Sequence, residues 1–202
     1  YKQALSIAEE PVDIAAILNS IGYVWAIQGR YRGAFKYCRQ ALLIYKALKN
    51  RDRDVGTTLA TIGEVYRNQN HYAQAIDYYY QALPYFERAN DLVWLARLYS
   101  RRGAVYRLQR EYELARRDLK TSLGYSIKEE QPWAAHVLGC VFWNENNWDR
   151  AEEMFRQSDE LAREVGDIRS QVNNLVGYAE LYFDRYRWAE KDPRYLEVVK
   201  EK

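Results

Sequence analysis

His136 and Cys140 stand four residues apart, so a helix would carry an imidazole and a thiol on one face, a spacing that two metal ligands can use. A structural zinc needs four ligands, and no second pair accompanies these two, so no metal is expected. The only other histidine, His71, lies in a polar turn, Asn68 to His71. The chain holds no phosphate-cradling loop, dinucleotide fingerprint, HExxH pair or Gly-x-Ser-x-Gly elbow. No nucleophile-and-base arrangement that would point to an enzyme is read from the sequence. A protein without catalytic residues, and needing no cofactor, is expected.

The residues best suited to chemistry are those that recognise rather than react. From Leu92 to Arg110 there are five arginines, at 97, 101, 102, 107 and 110, and no acid. Arg97 and Arg101 fall one helical turn apart, a spacing that lets two forked guanidinium groups grip a carboxylate or a phosphate. The alternative is a solvated face partly neutralised by Glu64, with which Arg101 could pair. Asparagines at 19, 68, 144 and 174 can each donate and accept, as the backbone of an extended peptide requires. Asn68 and Asn144 have the competing role of finishing their helices. Tyr23, Trp133, Trp143 and Tyr178 are anchor types for binding, or packing residues between helices.

What must position these groups is a pattern that returns five times. Glycine recurs at Gly22, Gly63, Gly103, Gly139 and Gly177. Nine residues after each comes Tyr31, Tyr72, Tyr112, Trp148 or Tyr186, and twelve after each comes Ala34, Ala75, Ala115, Ala151 or Ala189. A large aromatic stands at +3 as Trp25, Tyr66, Tyr106 and Phe142, failing at Glu180. A small residue stands at +19 as Ala41, Ala82, Ser122 and Ser158, failing at Leu196. The 3-4-3 rhythm of the later positions is one face of a second helix, after a short polar break. Helices approach to about 8 Å only where side chains are small, so the glycines and alanines mark seams, with large residues filling the flanks. A fixed register repeating every 36 to 41 residues specifies an array of antiparallel helix hairpins stabilised by neighbour contacts.

Those positions, in that order and spacing, resemble the tetratricopeptide repeat (TPR), and the resemblance covers essentially the whole chain. It implies an all-α, right-handed superhelical solenoid. The spacing exceeds the usual 34 residues and the closing proline is missing, which is similar to the extended repeats of motor-protein light chains, polarity adaptors, bacterial peptide-sensing regulators and the sensor arms of signalling ATPases. The expected organisation is a single solenoid over 1–202, with a second helix of a truncated repeat at 1–10. Repeats follow at about 12–50, 54–90, 92–130, 132–166 and 168–202. In the degenerate last one, a break is expected near 185–187, with Trp188–Glu190 ending a helix and Asp192-Pro193 starting another.

The resemblance further implies that the first helix of each pair lines a concave groove where a peptide or partner segment binds. The groove residues are then Asn19, Tyr23, Glu64, Arg67, Asn68, Arg97, Arg101, Arg107, Trp133, His136, Trp143, Asn144, Asn174 and Tyr178. Some relatives grip a C-terminal carboxylate with a lysine, two asparagines and two further basic residues. Arg97 and Arg101 match the last two, but Asn19, Tyr23 and Thr61 stand where the first three are needed, so such a clamp is not expected here. An acidic or phosphorylated segment is the ligand chemistry the arginines suit.

Bulk properties narrow the classes. Hydrophobic residues make up 48% of the chain and tyrosine alone supplies 19, enough large side chains to fill an array, while four prolines leave no disordered linker. No apolar run of membrane-spanning length occurs, so neither a span nor a leader is expected, and Cys38 and Cys140 read as free thiols, which fits a cytoplasmic protein. A net charge of +2 is low for a nucleic-acid binder, and Glu111, Glu113 and Asp118 follow the arginines, so that reading ranks last. Two readings remain. One is a non-enzymatic interaction scaffold; the other is a regulatory or sensor arm that contacts other domains of a longer chain, of which this sequence, with Met154 as its single methionine, is a piece.

Overall fold

The computed structural model describes residues 10–191, with side chains through Trp188. Among the described residues there are nine α-helices and no strand. They are α1 Pro11–Ile27, α2 Tyr31–Ala47, α3 Asp52–Asn68, α4 Tyr72–Arg88, α5 Leu92–Leu108, α6 Tyr112–Gly124, α7 Gln131–Asn144, α8 Trp148–Val165 and α9 Ile168–Lys191. The chain divides into two compact units between Arg110 and Glu111. The first holds α1 to α5 and the second α6 to α9. The helix expected at 1–9 and the restart at Pro193 lie outside the described residues.

Each turn between described helices contains one left-handed residue: Gly29, Asn50, Asn70, Asn90, Arg110, Ser126, Asn146 and Gly166. After α3 the amide of Asn70 donates to the carbonyl of Arg67 at 2.9 Å and that of His71 to Tyr66 at 2.9 Å. These two bonds close the helix as a Schellman turn. The asparagine that takes the left-handed conformation is therefore Asn70, two residues after Asn68, which is simply the last helical residue. Asn144 and Asn146 divide the same roles at the end of α7.

Arg110 occupies this conformation with a full side chain, at φ 64°. A Cβ costs roughly 1–2 kcal/mol there, against the 0.5–1 kcal/mol of added backbone freedom glycine brings to the unfolded chain. Arg110→Gly is expected to raise stability by about 0.5–1 kcal/mol in urea unfolding; a loss of stability would show that the guanidinium has work elsewhere.

Within the first unit, the seams are as close as the residue types imply. A methyl built on Gly22 would lie 2.3 Å from the Cys38 sulfur, and one on Gly63 would lie 2.6 Å from the ring of Tyr79. Ala34, Ala41, Ala75 and Ala82 are fully buried beside them. In the second unit, a methyl on Gly139 would meet the Phe155 ring at 2.7 Å, and one on Gly177 would meet the same ring at 3.0 Å. Phe155 of α8 thus sits against α7 and α9 at once.

The fifth hairpin departs from the expected plan. There is no break near 185–187; α9 continues through these residues to Lys191. The position seven residues after each glycine holds the left-handed Gly29, Asn70, Arg110 or Asn146 in the first four repeats. In the fifth it is Asp184, which accepts a hydrogen bond at 2.9 Å from the indole of Trp143. The next residue, Arg185, pairs with Asp149 at 2.6 Å and Glu152 at 2.8 Å on α8. Both side chains fasten α9 to its neighbours as a helix, where a turn would have freed them.

Candidate functional site

In the first unit two of the expected groove residues, Arg67 and Arg101, meet a third, Glu64, a buried carboxylate on α3. Arg67, one turn further on, donates Nε to Oε2 at 2.9 Å, and its Nη2 lies 2.7 Å from the same oxygen. Arg101 of α5 brings Nη1 to 3.3 Å from Oε1. The Tyr79 hydroxyl donates to that oxygen from α4. Burial pushes the Glu64 carboxyl up, but Arg101, Arg67 and the Tyr79 hydroxyl outweigh it and hold it below the usual carboxylate range. Burial first, and the Glu64 charge second, push the Tyr79 phenol well above its ordinary value. Two guanidinium groups against one carboxylate leave the cluster with a surplus positive charge.

Arg97 lies one turn before Arg101 and has a different neighbour, its guanidinium 4.7 Å from the centre of the Trp94 ring. Arg107 is half-buried in the last turn of α5. On α1, Tyr23 is 45% exposed, whereas Asn19 is half-buried, with its Oδ1 enclosed and lacking a hydrogen-bond partner. The Asn68 backbone carbonyl accepts from the Tyr31 hydroxyl at 3.0 Å.

In the second unit His136 is the centre. Its Nδ1 lies 2.8 Å from Asn174 Oδ1 on α9, and its Nε2 lies 3.6 Å from the Cys140 sulfur one turn along α7. Its ring stacks on Trp133 at 5.8 Å and tilts against Phe155 at 5.5 Å. Asn174 is 1% exposed, so it serves as an internal partner of His136 in this state. Tyr178 packs edge-on against Phe155 at 5.7 Å, and burial, then the nearby Asp159, push its phenol up to about 12. Trp143 turns its indole N–H to Asp184, while Asn144 is exposed. Among the described residues no cluster of three or more metal-ligating side chains forms, and no helix is long and apolar enough to cross a membrane.

Sequence reasoning missed two participants. The Tyr79 hydroxyl bonds Glu64, although the repeat pattern asks only for bulk at that position. Asp184 holds Trp143, and the signal was the missing glycine or asparagine at its place in the fifth repeat.

Two family models, both describing the tetratricopeptide repeat, match residues 13–88 and 134–169, together more than half of the sequence. The chain is a tetratricopeptide repeat protein. No curated protein sequence matches it significantly. Solved structures share the fold of these repeats. Aspartyl phosphate phosphatase F from Bacillus subtilis superposes with a TM-score of 0.79 at 16% identity, over 96% of this chain and 54% of its own. The Rap conjugation gene regulator of plasmid pLS20, in complex with the Phr* peptide, gives 0.78 at 16% identity, over 95% and 56%. A Rap protein complexed with competence and sporulation factor gives 0.74 at 16% identity, over 99% and 62%. The tetratricopeptide array thus spans a little over half the length of these proteins, and at such identity the likeness is one of fold.

Proposed function

We propose that the chain is a non-enzymatic interaction scaffold that holds a peptide or partner segment against the faces of its first helices. The observation that carries this reading is where its large apolar side chains are exposed. Tyr23 and Trp133 are expected groove residues, Ile27, Leu108, Leu175 and Tyr182 also stand on first helices of their hairpins, and each of the six is at least 36% exposed. The packing of a hairpin does not need them outside, and in each unit such exposed apolar groups offer a partner a face to bind. The complex of a similarly folded regulator with the Phr* peptide agrees with this use of the fold.

An acidic segment is the ligand this reading favours. The Glu64 cluster carries more cation than anion, and Arg97 adds a further positive charge one turn away. Reversing the charge of Arg97 leaves the Arg101–Glu64 pair in place, which makes it the position to test. A panel of immobilised acidic, neutral and basic peptides is expected to yield acidic binders that weaken in salt. Arg97→Glu should cost about tenfold in affinity, or 1.4 kcal/mol, and flatten the salt dependence. Binders with no acidic enrichment would refute the charge preference, and binding indifferent to Tyr23→Ala or Trp133→Ala would refute the groove.

A regulatory arm docking on another domain of a longer chain is the second reading. It draws on α9, where Ile168, Val172, Leu175, Val176 and Phe183 are all more than half exposed. In a longer chain this face should resist surface footprinting more than in residues 1–202 alone; equal labelling removes the reading.

A further inference from the structure

We propose that Cys140, His136 and Asn174 form a relay that makes Cys140 a reactive thiol, a site of covalent modification by thiol–disulfide exchange. The inference is independent of peptide binding. The three groups stand in the order nucleophile, base and orienting amide. The Asn174 Oδ1 can only accept, so at 2.8 Å it fixes the proton on His136 Nδ1 and turns the Nε2 lone pair toward the Cys140 sulfur at 3.6 Å. The rings of Trp133 and Phe155 both pack against the imidazole.

Asn174 supplies the second, independent observation. It is almost wholly buried, and its Nδ2 has no hydrogen-bond partner. An unsatisfied buried donor is costly and calls for a reason. A residue chosen only for packing would be apolar here. The use of the carboxamide lies in the oxygen end that faces His136. Cys140 itself is partly exposed, so a reagent can reach it.

In the step proposed, the Cys140 thiol proton passes to His136 Nε2. The thiolate attacks one sulfur of a low-molecular-weight disulfide, forming a bond from Cys140 to that sulfur and breaking the reagent's own S–S bond. The departing thiolate then takes the proton from the imidazolium, so one disulfide and one thiol become a mixed disulfide and a free thiol. The reagent is the oxidant.

The chain contains its own control. Cys38, fully buried against Gly22, has its thiol pushed up to about 12 by burial and should be inert. The test uses an aromatic disulfide whose released thiol is coloured, at about pH 7, where an ordinary thiol is still mostly protonated and an ordinary imidazole mostly neutral. The folded protein should release one equivalent, absent in Cys140→Ser, about tenfold faster than the urea-unfolded chain, given the thiolate fraction gained and the nucleophilicity lost. Cys140 reacting no faster folded than unfolded would overturn the proposal without any variant.

His136→Ala should remove the acceleration. Asn174→Ala should slow the reaction when His136 is present and change nothing in the His136→Ala background. A slowing of equal size in both backgrounds would show that Asn174 acts through packing and would overturn its positioning role.

Discussion

Phe155→Ala is expected to destabilise the second unit by about 3–5 kcal/mol, the usual cost of emptying a buried phenylalanine site. The ring is fully buried, lies where methyls on Gly139 or Gly177 would stand, and touches His136 and Tyr178. Two of its neighbours are glycines, which have no side chains that could relax into the space. The cavity should therefore stay open. Urea unfolding followed through α7 to α9 measures the effect. The same geometry predicts coupling. Gly139→Ala alone collides with the ring at 2.7 Å, whereas Phe155→Ala removes that nearer obstacle and leaves the Ala151 carbonyl at 3.2 Å, so the double variant should lose less than the two single losses combined. Strict additivity would show that the ring is not what keeps residue 139 small.

The second large effect is expected at Glu64. Glu64→Ala leaves Arg67, Arg101 and the Tyr79 hydroxyl facing one another with the phenol oxygen in place of the carboxylate as acceptor. Breaking a buried ion pair costs about 3–5 kcal/mol; here both guanidinium groups are partly exposed, so a loss near the lower end is expected. Glu64→Gln should lose less, because an amide oxygen still accepts from Tyr79.

The pH dependence has a definite sign. The folded carboxyl sits below its ordinary value, so its stabilisation is present above about pH 4.3 and disappears as the pH falls through the depressed folded value. Tyr79 is shifted the other way, so its contribution holds below about pH 10 and fades as the pH rises toward the raised folded value. Denaturation midpoints should fall on the acid side in the wild type and much less in Glu64→Gln. Parallel acid limbs in the two proteins would exclude Glu64 as the titrating group.

How much of this was legible beforehand depends on which physical quantity fixed each feature. Where size alone decides, the order of residues was sufficient. Gly22, Gly63 and Gly139 meet Cys38, Tyr79 and Phe155, each sixteen residues later, because a helix of known pitch brings them there and only hydrogen fits. The helix hairpins and the burial of Ala34, Ala75 and Ala115 follow from the same local rule.

Where partners come from distant helices, sequence spacing says nothing about who meets whom. Five arginines on one helix look alike in the sequence, but Arg101 takes Glu64 while Arg97 lies over Trp94. The polar break that ends a first helix was readable after Tyr66, whereas its absence in α9 depended on Asp184 reaching Trp143 and Arg185 reaching α8. His136 and Cys140 were visible as a pair on one helix. The third member, Asn174, is 38 residues away from His136 and joins them only when α9 packs on α7. Periodicity along the chain determined the scaffold, because short-range sterics obey it. Hydrogen bonds between helices determined the polar clusters, because they form only after the chain has folded back on itself.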